Sequence, residues 1–485
     1  MKNQRLLPIA LCLAILAVSC GESGVKSDES KASDNTPDVQ TSAETEFQYE
    51  YPTLDCEGED FTILNYSTTW GYYSHIDFES LTGDILDDAI FNRNRTIEKQ
   101  FNFNLKTEIE DIDKNYTTYK TAILSGDAVY DAAICRSDKM STFITEGYLW
   151  NVMDIPEIQI DEPWWDQAVA DGARIGSSDK LYIMASDFHL SGFDVTMCTF
   201  FNERFMTDLG EEMPYQLVRD GKWTFDKMYD YMKLGASLNG DESYGYEYGK
   251  SATYGMTSFG TCVPAMVYGA NERYVDIGSD GLPYLACEND RFYSVTAKIA
   301  DMLSKQGEFL NLNSSGENHY EMVFKTGRAL LLVAQLKASF KYRDMQDAYG
   351  VLPMPKFDEN QQSYCCYRTG GTPIISIPVT NNDPTRAGII LDALSYLSWR
   401  DVLPVYYDLN VSQKALRNED SIEMLSIIRG SRYFDVSRVY AWCDSLYSSL
   451  ESTLSAGNPS VASIVASNKT AIETNIQKTL ELLGK

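Results

Sequence analysis

Residues 60–108 read DFTILNYSTTWGYYSHIDFESLTGDILDDAIFNRNRTIEKQFNFNLKTE, and the fold class follows from this stretch. Asp60 to Tyr66 alternates in hydropathy and is rich in strand formers. A Thr- and Tyr-rich loop, Ser67 to Phe78, follows it. Asp84 then stands where a helix needs its cap, and Ile85, Leu86, Ala89, Ile90, Ile97 and Phe101 supply the apolar stripe. A second strand, Phe103 to Glu108, completes a β–α–β unit. The loop after its first strand lies where open α/β sheets place their binding crevices. The logic then repeats, with a helix around Thr117–Leu124, a turn at Ser125-Gly126-Asp127 and a strand from Val129 to Cys135.

Further along, Leu181–Met184 and Met197–Phe201 are apolar runs separated by the polar stretch Ala185–Thr196, the pattern of a chain crossing between two lobes. Thr224 caps a helix whose first turn holds Asp226, favoured there by the helix dipole. Asn239 to Tyr254 reads as surface loop. Ala329–Val333 and Tyr349–Pro355 read as strands, the latter ended by prolines. Ile374–Val379 and Pro384–Trp399 predict a strand and a helix, and Asn468–Leu483 a terminal helix. No repeat of 20–50 residues interrupts this order.

Upstream of the folded region, Lys2 and Arg5 precede an apolar stretch, Leu6 to Val18. At ~1.5 Å per residue it is too short to cross ~30 Å of hydrocarbon and reads as a secretory signal over 1–19. It ends in Ala17-Val18-Ser19-Cys20-Gly21, similar to a bacterial lipobox, which makes Cys20 the expected lipidation (palmitate) site. Two or more acyl chains would hold the protein stably at the extracellular face of the membrane. Residues 20–49 are Ser-, Asp- and Glu-rich, a disordered tether.

The 485 residues carry 41 basic against 70 acidic side chains, a net charge of −29 that argues against nucleic acid and anionic membrane surfaces as partners. Three His leave little for a His-rich metal centre, and no metal or cofactor is expected. Eight Cys beyond Cys20 are scattered without a C-x-x-C pair, against zinc ribbons and most iron–sulfur patterns. They are expected to be free thiols.

One ordered set of segments carries a resemblance. It comprises Gly126-Asp127 before Tyr130-Asp131, then Trp164-Trp165, then Leu181-Tyr182 leading to Phe200-Phe201-Asn202. Asp208-Leu209-Gly210, Pro214-Tyr215, Gly221-Lys222-Trp223-Thr224, Phe324–Ala329 and Gly350–Lys356 follow. In this order, behind a lipobox, the chain resembles extracellular solute-binding protein family 1 of ABC importers, the group that includes maltose-binding protein, over roughly residues 55–485. The resemblance implies an α/β, two-lobe periplasmic-binding-protein-like (type II) fold with a multi-strand hinge. Lobe 1 is expected at 50–187 plus 365–415, and lobe 2 at 195–360 plus 416–485. The hinge crossings are expected at 188–194 and 361–364. A sugar would be held between the lobes and passed to membrane permease subunits, by a monomer without enzymatic activity.

Sugars offer C–H faces to aromatic rings and hydroxyl edges to carboxylates, amides and guanidinium groups. The acidic balance favours a neutral oligosaccharide unless arginines cluster locally. Candidate contacts are Trp70, Tyr72 and Tyr73 in the first loop, Arg136 and Asp138 after the third strand, and Asp187 and Asp194 flanking the hinge. By analogy with the family, Phe259, Tyr268, Asn271, Gln335, Arg368 and Tyr433 join them. Trp164, Trp165 and Trp442 are weighed as contacts or as core. A peptide or polyol guest is the nearest alternative ligand.

Asp276–Gly281 resembles part of a calcium loop, but its third position is Gly and its twelfth is Cys287 where a bidentate acid belongs, so Asp280-Gly281 is read as a hairpin turn. His75, His189 and His319 have no metalloprotease spacing, and neither a P-loop nor a G-x-S-x-G motif occurs. A surface glycan-active enzyme would need a pair of carboxylates, which nothing in the sequence nominates. A helical glycan-capture lipoprotein conflicts with the β–α–β pattern.

Overall fold

The computed structural model describes residues 49–176, 180–247, 249–312, 319–342, 344–412 and 419–484. The signal segment, Cys20, the tether to residue 48 and the side chain of His319 lie outside the described residues. In chain order the strands are β1 (Asp60–Ser67), β2 (Asn104–Asp111), β3 (Ala132–Arg136), β4 (Met197–Asn202), β5 (Tyr254–Ser258), β6 (Val275–Ile277) and β7 (Pro283–Leu285). They continue with β8 (Phe309–Asn311), β9 (Ala329–Gln335), β10 (Tyr349–Leu352), β11 (Cys366–Tyr367), β12 (Pro373–Ser376) and β13 (Arg432–Tyr433).

Two sheets carry the molecule. The first has the order β12-β3-β1-β2, with β1 parallel to β2 and β3 and β12 antiparallel on the edge. The second has the order β10-β4-β9-β5-β8 and is mixed. β9 is buried along its whole length, as a central strand covered on both faces must be. Helix Ile85–Phe101 begins where Asp84 accepts bonds from the Leu86 and Asp87 amides, and it ends on Asn102 in the left-handed region. It packs beside helix Pro384–Leu397, while helices Asp444–Ser455 and Val461–Leu482 pack on the second sheet's helices Cys262–Gly269 and Asp290–Leu303. Helix Phe225–Gly235 lies so close to β5 that a Cβ on Gly255 would come 1.9 Å from the Met232 carbonyl oxygen.

Among the described residues the chain passes between the sheets through Ser191–Asp194 into β4 and from β10 through β11 to β12. β11 pairs with β13, and Thr196 bridges Arg368. These short pairings are the multi-strand connection between two lobes. Asp280-Gly281 forms the turn of the β6–β7 hairpin, with Gly281 at φ 76°. The eight cysteines after Cys20 are buried free thiols. The third strand begins at Ala132, not Val129, and the last helix begins at Val461, seven residues before Asn468.

Candidate functional site

A cleft of about 420 Å³ opens between the sheets. Its walls meet at four segments: the loop after β1, the end of β3, the end of β9 and the Thr369–Gly371 turn after β11. The loop has no regular structure, and side chains from elsewhere fix it. Arg93 and Asn94 donate to the Ile76 carbonyl at 2.6 and 2.9 Å, and Asn65 donates to the Ser74 carbonyl at 2.8 Å. Asp194 accepts the Tyr73 amide at 2.7 Å. Burial pushes the Arg93 guanidinium down to about 9. The polar residues inside helix Ile85–Phe101 therefore serve the loop that carries Trp70 and Tyr72.

Of the candidate residues, Trp70, Tyr72, Arg136, Asp138, Phe259 and Gln335 come together on the cleft lining. The Arg136 guanidinium lies 4.9 Å from the Trp70 ring centroid and bonds both Asp138 oxygens, at 3.0 and 2.6 Å. The Trp70 and Tyr72 rings meet edge to face at 5.9 Å. From the second lobe, Gln335 donates to the Tyr72 hydroxyl at 3.1 Å and to Thr369 Oγ1 at 2.9 Å. Burial pushes the Tyr72 phenol up to about 12. Phe259 stacks on Tyr320 with centroids 5.0 Å apart. The cleft thus has an aromatic face from each lobe and a polar floor between them.

The other candidates sit outside this lining, each with a partner that accounts for it. The Tyr73 hydroxyl donates to Asp87. Asp187 pairs with Arg429 at 2.7 Å. Asp194 is fully buried and accepts the Tyr406 hydroxyl at 2.6 Å, and burial pushes it up to about 6. Tyr268 is fully buried, stacks on Tyr367 at 4.6 Å and bonds Asp435. Asn271 occupies a left-handed turn and accepts from Arg273 at 3.0 Å. Tyr433 lies 3.8 Å beneath the Arg273 guanidinium. Arg368 is buried against Asp166 at 2.8 Å, and Arg432 reaches the same carboxylate at 2.9 Å. Trp164 and Trp165 both donate to Asp392, at 3.0 and 2.7 Å, and Trp442 is buried against Tyr440. Hydrophobic patterning cannot separate such buried polar residues from cleft residues, since both fall on apolar segments.

Lining residues beyond the candidates include Tyr320, Lys337, Thr369, Gly370, Gly371 and Arg438. Lys337 could have been found by alternation, being two positions past Gln335 on the continuation of β9. Thr369–Gly371 directly follows Arg368. Tyr320 and Arg438 have no local signal.

One buried set has the outline of a hydrolase triad: Ser191 Oγ lies 2.8 Å from His189 Nδ1, and His189 Nε2 lies 3.2 Å from Asn65. All three are at most 1% exposed, and Tyr66 closes on Ser191 at 2.8 Å, so no substrate reaches that hydroxyl. Burial brings His189 down to about 3 and holds it neutral. The set joins β1 to the first crossing between lobes.

No family profile and no curated protein matches the chain. Solved structures do. The ABC substrate-binding protein Lmo0181 of Listeria monocytogenes, in complex with cycloalternan, has a TM-score of 0.54 at 13% identity, covering 88% of this chain and 99% of its own. The GacH receptor of Streptomyces glaucescens, solved unliganded and with acarbose, has a TM-score of 0.53 at 12% identity, with 88% and 99% covered. The maltose-binding periplasmic protein MalE of Listeria monocytogenes, in complex with maltose, has a TM-score of 0.55 at 12% identity, with 87% and 98% covered. Over nearly the whole length of these sugar-binding proteins, this chain has the two-lobe α/β fold of periplasmic binding proteins.

Proposed function

We propose that the protein is a solute receptor that captures a carbohydrate between its lobes and delivers it to the permease of an ABC importer. In this reading it acts as a monomer tethered through Cys20 at the extracellular face of the membrane, without altering its guest. Lobe 1 is taken as 50–187 plus 365–415, lobe 2 as 195–360 plus 416–485, and the contacts as Trp70, Tyr72, Arg136, Asp138, Phe259 and Gln335.

The observation that carries the reading is the cleft itself, with an aromatic wall on each lobe and hydrogen-bonding groups between. Rings stack on sugar C–H faces, and the polar floor meets hydroxyl edges. Both oxygens of Asp138 are bound by Arg136, a geometry for orienting hydroxyl donors. The direct bond between Tyr72 of one lobe and Gln335 of the other supports closure, because a ligand shifts an open–closed balance only by touching both walls. Sugar complexes among the similar structures point the same way.

A thermal-shift screen of mono- and oligosaccharides, run beside a reducing-sugar release assay, tests the proposal. A saturable rise in Tm without product supports a receptor. Release of product ends that reading, and a flat response to every sugar ends the carbohydrate assignment.

A further inference from the structure

The described residues lining the cleft include three cations, Arg136, Lys337 and Arg438, against one carboxylate, Asp138. In a chain with 70 acids and 41 bases this local reversal is large. The three cations are not equally neutralised. Arg136 holds Asp138 and also Asp113 at 2.7 Å, and Arg438 pairs with Asp444. Lys337 has no carboxylate at ion-pair distance among the described residues. Its Nζ donates to the Trp70 carbonyl at 2.8 Å and stands 4.3 Å over the Tyr72 ring.

An ammonium has three N–H donors, and the Trp70 carbonyl takes one. Neighbouring Lys341 already has a counter-ion, Glu321 at 2.9 Å. Burial, followed by the Lys341 charge, pushes Lys337 down to about 8 against the opposing pull of the Glu321 and Asp194 carboxylates, neither of which reaches it as an ion pair. An anion entering the cleft would restore what burial removed and gain charge-assisted hydrogen bonds.

We infer that the guest is an acidic sugar, with a carboxylate or sulfate on the ring or its substituents, and that Lys337 selects for that group. This rests on the carbohydrate reading above and replaces the neutral guest that the overall charge suggests. The Trp70 and Phe259 faces would still meet the sugar rings, while Lys337, between the Tyr72 ring and the Trp70 carbonyl, meets the anionic oxygens.

Matched pairs test the inference by calorimetry and thermal shift: trigalacturonate with its methyl ester, sialyllactose with lactose, and galactose 6-sulfate with galactose, with maltotriose as a further neutral sugar. The acidic member of at least one pair is expected to bind about tenfold or more tighter than its neutral partner. Lys337→Gln should bring that ratio below about threefold, and Lys337→Arg should keep it. Which pair responds tells carboxylate from sulfate. Should Lys337→Gln fail to fold, the wild-type ratio must shrink between about 50 and about 500 mM NaCl. A ratio unchanged by salt or by a folded Lys337→Gln overturns the inference. Binding of neutral sugars alone also overturns it and leaves the carbohydrate reading standing, whereas no binding by any sugar removes both.

Discussion

Replacing His189 with asparagine should remove an acid-sensitive part of the protein's stability. The imidazole is 1% exposed, bonded to Ser191 and Asn65 and 5.0 Å from the Tyr66 ring centroid. Burial lowers its pKa from 6.5 to about 3. The unfolded chain takes up this proton near pH 6.5 and the folded chain does not until about pH 3. The stability it allows is therefore complete above pH 6.5 and is lost on acidification at about 1.4 kcal/mol per pH unit. Between pH 7 and pH 5 the loss is about 2 kcal/mol.

Asp194 works in the opposite sense over the same interval. Its folded pKa is pushed up from 3.8 to about 6, so its contribution is complete below 3.8 and is lost as pH rises through 6. From pH 7 to pH 5 it returns about 1 kcal/mol. The wild-type protein is thus flatter with pH than either group alone would make it, and the difference between wild type and variant isolates the histidine. The carboxamide introduced by His189→Asn keeps a donor and an acceptor near Ser191 and does not titrate. Urea melts followed by Trp fluorescence at pH 7 and pH 5 should show the wild-type advantage shrinking by about 2 kcal/mol on acidification. An advantage that is equal at the two pH values within about 0.5 kcal/mol would refute the assignment of a neutral, buried His189.

Trp70→Ala removes the ring that packs on Arg136 and Tyr72, and should weaken the Kd of whichever glycan binds by about thirtyfold, or about 2 kcal/mol, in titration calorimetry. Arg368→Met leaves Asp166 with Arg432 as its remaining close cation and should lower unfolding free energy by about 3 kcal/mol, read from the urea midpoint. Cys20→Ser should move the protein from the membrane pellet to the soluble fraction on cell fractionation, while the purified variant binds sugar as before.

What was legible in the sequence had a local cause. Asp84 and Thr224 cap their helices because a side-chain oxygen two or three residues from an amide has little other choice. Asp280-Gly281 turns the β6–β7 hairpin for a similar reason. The third strand starts late because Val129 is 45% exposed, and a β-branched residue counts for strand whether or not the sheet reaches it. The terminal helix begins early, at Val461, because packing of Val461, Val465 and Ile472 outweighs the modest helix propensity of the intervening Ser and Asn residues. Leu181, Ile183 and Met184 are buried without forming a strand of their own, since apolar runs are satisfied by burial in any backbone form.

The cleft followed a different rule. Trp70, Tyr72, Arg136 and Asp138 could be proposed because they end elements whose position in an α/β sheet is known from the pattern alone. Arg368, Tyr268 and Asp194 have the same kinds of neighbours in sequence, yet they are buried among partners drawn from distant segments. Residue order was enough for the α/β units and their caps, because periodicity and capping join residues a few positions apart. Which polar groups face the opening, and which lose their water to one another, was settled by folding in three dimensions. That choice joins groups as far apart as Tyr72 and Gln335, separated by 263 positions. It depends on packing between whole lobes, a sum of many weak contacts that no local pattern encodes.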